Sequence, residues 1–166
     1  MKNLSFDVKK MGGGRWLIDE QKSGTHIMKI IPGGAKNNLL IKQILLRGAF
    51  ALGGLCRHVE DWWECGEDGI MIYPTGSTRC EAPTFDEKFI QESLEMIGKV
   101  HSLGLYHGHP DVSQFRRDED GKLFFDKVED GGFLSETSVE FRKARLENDY
   151  LIFKTSLTNP SLTFEF

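Results

Sequence analysis

Two kinds of apolar spacing alternate along the chain. Residues 15–20 and 25–31 carry Trp16, Ile18, Ile27, Ile30 and Ile31 in short runs rich in β-formers. Lys22-Ser23-Gly24 parts them, so the pattern predicts a hairpin. Pro32-Gly33-Gly34 ends it. From Ala35 to about Gly53 the positions Leu39, Leu40, Ile44, Leu45 and Ala49 fall near helical spacing, with Gly53-Gly54 as a stop. Residues 59–64 and 69–73 are short strand candidates, the second broken by the segment from Pro74 to Ser77. Adjacent tryptophans on such a strand, Trp62 and Trp63, are expected to point one inward and one outward. Thr84 and Glu87 have the spacing of a capping box, in which the threonine hydroxyl accepts an amide of the first turn and the glutamate reciprocates. Behind them Phe89, Ile90, Leu94, Ile97 and Val100 predict a long amphipathic helix that ends at Gly104. Residues 115–125 read as a hairpin around the turn Asp118-Glu119-Asp120-Gly121. Residues 136–157, with Phe141, Leu146, Tyr150, Ile152, Phe153 and Leu157, read as a closing helix.

Composition narrows the class. A chain of 166 residues, 39% hydrophobic and 28% charged, suits one soluble globular domain with a real core, and the strands and helices expected above make its class α+β. The net charge of −4 argues against nucleic acid, because a phosphate-tracking surface shows as a basic domain. The basic residues are interleaved with acids, as in Arg116-Arg117-Asp118-Glu119-Asp120. Cys56, Cys65 and Cys80 follow no metal or disulfide spacing and read as reduced thiols in a cytosol-like compartment. No apolar run approaches the roughly 20 residues of a membrane helix, and the first ten residues lack a signal-peptide core. The expectation is a cytoplasmic protein, or one delivered into a host cytosol by a specialised export machine.

The densest chemistry lies between His101 and Asp126. The run His101-Ser-Leu-Gly104-Leu-Tyr-His107-Gly108-His109 leads through Pro110 and Asp111 to Gln114 and Phe115, then through the hairpin to Asp126. This stretch resembles the catalytic loop of the protein-kinase family, which runs from a helix into His-Gly/Arg-Asp, reaches an Asn five residues later, and returns on a hairpin to a metal-binding Asp. The order of elements from about residue 12 to the closing helix is similar to that of small atypical kinases of the KEOPS-complex, lipopolysaccharide-kinase-like and bacterial effector types. The resemblance implies a compact two-lobed kinase-like fold, with an N-lobe of strands and one helix over 1–78 and a truncated helical C-lobe over 79–166.

The resemblance assigns roles position by position. Gly12, Gly13 and Gly14 sit where a glycine-rich loop covers the phosphates of ATP, since glycine lets backbone N–H groups approach closely. Lys29 matches the strand lysine that contacts those phosphates. Gln114 and Asp126 take the positions that hold Mg²⁺, so ATP and Mg²⁺ are the implied ligands. Three departures point to a pseudokinase. His109 stands at the catalytic Asp and Gln114 at the Asn. The segment 33–59, which should carry a glutamate to pair with Lys29, contains no acid at all and offers only Gln43. Such a protein would act by binding a protein partner, its oligomeric state left open. The alternative within the family is an active Ser/Thr kinase with His109 or Asp111 as base. His101 and His107 match positions that bond backbone around the loop.

Two other readings compete. His107-Gly-His109-Pro-Asp111 is also the start of an H-x-H-x-D metal motif, but its final histidine is Val112 and no histidine follows His109. A plain interaction module would show an exposed apolar patch, for which Trp62 and Trp63 beside Glu60, Asp61 and Glu64 are candidates.

Overall fold

The computed structural model describes residues 6–12, 14–20, 24–74, 78–79 and 85–158. Strands β1 (Phe6–Gly12), β2 (Arg15–Glu20) and β3 (Gly24–Ile31) run antiparallel in sequence. Helix α1 (Leu39–Leu52) follows, then the hairpin β4 (Asp61–Cys65) and β5 (Asp68–Pro74). The five strands form one sheet in the order β1-β2-β3-β5-β4, with β5 inserted beside β3. Arg15, Lys29 and Met71 therefore stand in one cross-strand row.

The second half begins with the short strand β6 (Thr78–Arg79), then α2 (Glu87–Ser102) and β7 (Leu105–Tyr106). A 3-10 turn at Val112–Gln114 leads into the hairpin β8 (Phe115–Arg117) and β9 (Leu123–Phe125). Strand β10 (Gly132–Phe133) pairs with β7, and the chain continues into α3 (Val139–Thr158). The protein is thus mixed α+β, with antiparallel sheets and three α-helices among the described residues.

Two apolar clusters hold these elements. Ile27, Ile31, Leu40, Met71 and Tyr73 pack the sheet against the start of α1. The far end of α1 (Leu46, Phe50, Ala51) enters a second cluster with Phe89, Ile97 and Val100 of α2, Phe115 and Phe125 of the hairpin, and Phe153 of α3. Phe115 is its hub, with ring centres 5.0 Å from Phe125, 5.4 Å from Phe153 and 5.7 Å from Phe89. Each such ring contributes roughly 1.5–3 kcal/mol by leaving water.

Several expectations need correction. The hairpin partner β1 has no counterpart in the sequence reading. Helix α1 begins at Leu39, not Ala35, because residues 32–37 form turns and Asn38 takes a left-handed conformation. Helix α2 is capped by Asp86, whose carboxylate accepts the Phe89 amide at 2.9 Å; Thr84 of the expected capping box lies outside the described residues. A carboxylate one residue before the helix serves the free amides of the first turn as well as a threonine does. The helix stops as expected, with Gly104 at φ 77° just beyond it. Trp62 and Trp63 are both exposed, because β4 is the edge of the sheet and contributes to neither cluster. Cys56 is buried and Cys65 exposed, both free; Cys80 lies outside the described residues.

Candidate functional site

Where the sheet meets the second half, charged side chains are buried together. Arg15 from β2 donates through Nη2 to the Tyr73 hydroxyl at 3.0 Å and to Asp126 Oδ1 at 3.1 Å. Arg116 from β8 approaches the other oxygen of Asp126, with Nε at 3.4 Å. Lys29 Nζ lies 3.5 Å from Glu129 Oε1, and Arg47 Nη1 lies 3.7 Å from the same oxygen. Arg47 also donates to the carbonyls of Arg57 (2.9 Å) and Asp126 (3.2 Å), and its guanidinium lies over the Tyr73 ring at 3.5 Å.

Burying an ion costs several kcal/mol, and only close opposite charges offset it. The shifts follow that balance. Burial alone would raise the Asp126 carboxyl, but Arg15, Arg116 and Arg47 hold it below its ordinary range. Burial likewise opposes ionisation of Glu129, and Lys29 and Arg47 overcome it. Lys29 is lowered by burial despite Glu129. Lys127, half-buried beside Arg15, falls to about 8, chiefly through burial. Tyr73 is pushed up to about 12 by burial and stays neutral.

The loop before the hairpin is fixed from α3. Asp149, fully buried, accepts from the amides of His107 (2.9 Å) and Gly108 (2.8 Å), and its Oδ2 lies 2.9 Å from His101 Nε2. Burial would raise its carboxyl; these three donors, His101 first, hold it low. His107 Nε2 lies 2.7 Å from the Lys127 carbonyl and must carry the proton there, while Nδ1 accepts the His109 amide at 3.2 Å. Both nitrogens serve backbone, and burial lowers the His107 pKa below 6.5. Gly108, at φ 87°, allows the closest approach. A Cβ there would stand 2.2 Å from the Asp130 carbonyl oxygen, so no side chain fits.

A pH dependence follows from these directions. His107 binds a proton in the unfolded chain near 6.5 but only at lower pH when folded. Its neutral, buried state therefore stabilises the fold above about pH 6.5, and that contribution is lost as pH falls below this value. Asp126, Glu129 and Asp149 have lowered values, so their contributions persist to lower pH and are lost only through and below the ordinary carboxylate range. Urea unfolding from pH 8 to 3 is expected to show a first loss beginning near pH 6.5, with a slope of up to about 1.4 kcal/mol per pH unit, and a second one in acid. A midpoint unchanged from pH 7.5 to 5.5 would mean that His107 is not held neutral.

The sequence-derived residues fall into three groups. His109 and Asp111 come together: His109 Nε2 lies 2.6 Å from Asp111 Oδ2, off the line of a well-formed hydrogen bond. Asp111 is buried and its other oxygen accepts from the amide (2.9 Å) and hydroxyl of Ser113, capping the 3-10 turn. The imidazole is exposed on a buried carboxylate. Gln114 and Asp126 also meet, through a backbone bond of 2.8 Å from the Asp126 amide to the Gln114 carbonyl. The Asp126 side chain does not fit a metal, however, because a divalent cation there would have to displace a guanidinium and sit among cations. Among the described residues no three His, Cys, Asp or Glu side chains form a ligand set. With both His107 nitrogens on backbone, the H-x-H-x-D motif also fails as a metal centre.

Of the glycines, Gly13 lies outside the described residues, Gly12 pairs with Arg15 at the end of β1, and Gly14 packs on β3. The Gly14 carbonyl accepts the Ile30 amide at 2.8 Å. Lys29 has the acid that α1 lacks, but Glu129 supplies it; Gln43 does not. Sequence reasoning missed Arg15, Arg47, Arg116, Glu129 and Asp149. Two had a signal. Arg47 falls on the stripe of Leu40, Ile44 and Ala51, and Asp149 on that of Leu146, Tyr150 and Phe153; a charge in an apolar stripe is buried and needs a partner.

The sequence matches no protein-family model and no curated protein sequence. Among the described residues no helix is long and apolar enough to cross a membrane.

Proposed function

We propose that the chain is a compact protein-kinase-like domain that works by binding another protein and not by phosphoryl transfer. The order of elements supports the fold: a five-stranded antiparallel sheet with a helix between its third and fourth strands, then a helix, a histidine-anchored loop and a hairpin that returns to Asp126. One observation carries the loss of chemistry. The Asp126 carboxylate, which would hold Mg²⁺ in an active kinase, lies between Arg15 and Arg116. Lys29 is likewise engaged with Glu129.

A second reading has its own support. The exposed His109 imidazole beside the buried Asp111 carboxylate has the arrangement of a general base with an orienting acid. Labelled ATP with Mg²⁺ separates the two. The expected result is no phosphate incorporation, above a no-enzyme blank, into the protein itself or into a basic acceptor protein. Incorporation that disappears in His109→Ala would overturn the binding proposal and establish the second reading; His109 is exposed enough for that variant to keep its fold.

A further inference from the structure

The edge strand β4 has features that the fold itself does not use. Trp62 and Trp63 are 46% and 38% exposed, and every residue from Asp61 to Glu67 is exposed. Trp62 stands opposite Met71 and Trp63 opposite Ile70, so the two indoles lie on opposite faces of the sheet. Met71 is fully buried, yet Trp62 beside it on the same face is not.

The alternation also sorts the acids. Glu60 and Glu64 share the Trp62 face, and Asp61 shares the Trp63 face, so each face of the edge presents an indole with a carboxylate. No Lys or Arg occurs between residues 58 and 69. Some of these acids have local partners: Glu60 Oε2 lies 2.9 Å from His26 Nε2, and Glu67 3.6 Å from Lys36. Asp61 Oδ1 accepts the Trp62 amide at 2.8 Å, which caps one backbone donor of the strand with an exposed and displaceable carboxylate.

We infer that β4 is a docking edge for an extended, lysine- or arginine-rich segment of a partner protein, which adds as a sixth strand with cationic side chains on both faces. An open edge supplies main-chain hydrogen bonds to any strand. The side chains decide which strand. A cation that crosses the edge meets an aromatic face and a carboxylate together, and both attract it. A second copy of this chain is disfavoured by the same charges. A two-fold pairing of β4 with itself would bring Glu60, Asp61 and Glu64 of each copy together with no basic residue to separate them. Trp62 ends the cross-strand row that runs from Arg15 through Lys29 and Met71, two strands from Lys29, and the inference stands whether or not phosphate is transferred.

The test uses the full chain and three synthetic peptides of eight residues: one of arginine and valine with arginines on both faces, its glutamate counterpart, and the arginine peptide interrupted by proline. Tryptophan fluorescence should titrate to saturation with the first alone. An Asp61→Lys/Glu64→Lys variant should bind it about tenfold or more weakly with an unchanged thermal midpoint, since both side chains are exposed. Amide exchange over 61–65 should slow in the complex. No binding at about 1 mM peptide would overturn the inference. Equal binding of the proline peptide would do the same, because charge without strand pairing would then suffice. Sedimentation that shows a dimer abolished by Trp62→Lys would assign the edge to a second copy instead.

Discussion

Asp126→Ala is expected to lose about 3–5 kcal/mol of stability, measured by urea unfolding at pH 7, because it leaves Arg15 and Arg116 without their shared counterion in a buried site. A domain of this size has only about 5–15 kcal/mol in total, so the variant should sit near the limit of folding. The sign of the change is informative. A carboxylate kept for a metal is commonly destabilising in the free protein, and its removal then raises stability at the expense of function. A carboxylate that neutralises two guanidinium groups lowers stability when removed. The double variant Arg15→Met/Asp126→Leu should recover only part of the loss, since the apolar pair needs no desolvation but Arg116 still lacks its carboxylate. An Asp126→Ala variant as stable as the parent would show that the arginines do not depend on it.

Asp149→Ala is expected to cost a similar amount, about 3–5 kcal/mol, for a different reason. Asp149 is the common acceptor for the His107 and Gly108 amides and for His101. Without it the buried His107 amide, the part-buried Gly108 amide and the His101 imidazole lose their acceptor, and the loop keeps the bond from the Val112 amide to Ser156 Oγ (3.0 Å) as a tie to α3. Asp149→Asn should recover little, because its amide nitrogen faces donors where an acceptor is needed. Urea unfolding gives the magnitude, and hydrogen exchange at His107 and Gly108 locates it. A loss below about 1 kcal/mol, with both amides still protected, would show that the His107–Lys127 and Val112–Ser156 bonds hold the loop without Asp149.

What the sequence disclosed, it disclosed through local spacing. The hairpin of β2 and β3, helix α2 and the turn at Asp118 follow from periodicity and turn residues within a few positions of one another. The role of His107 was also legible, since it follows from the loop in which it lies. The charged network was not. Arg15 meets Asp126 across 111 positions of sequence, and nothing near either residue signals the other. The acid of Lys29 is not legible from the helix that follows it, because Glu129 comes from beyond the hairpin. Trp62 and Trp63 lie on opposite faces as alternation predicts, and both are exposed, because a strand pattern does not say whether the strand is central or at an edge.

The division of charge in that network bears on how the chain can be cut. Arg15, Lys29 and Arg47 belong to the first half, and their acids, Asp126 and Glu129, to the second. A fragment ending near residue 78 would keep three cations facing inward with no counterion. The complementary fragment would keep two acids with Arg116 as their one guanidinium from this network. The two halves therefore differ from domains joined by a linker, each able to reach its structure alone. Each is the neutralising agent of the other, and the boundary between them is a poor place to divide the chain for expression.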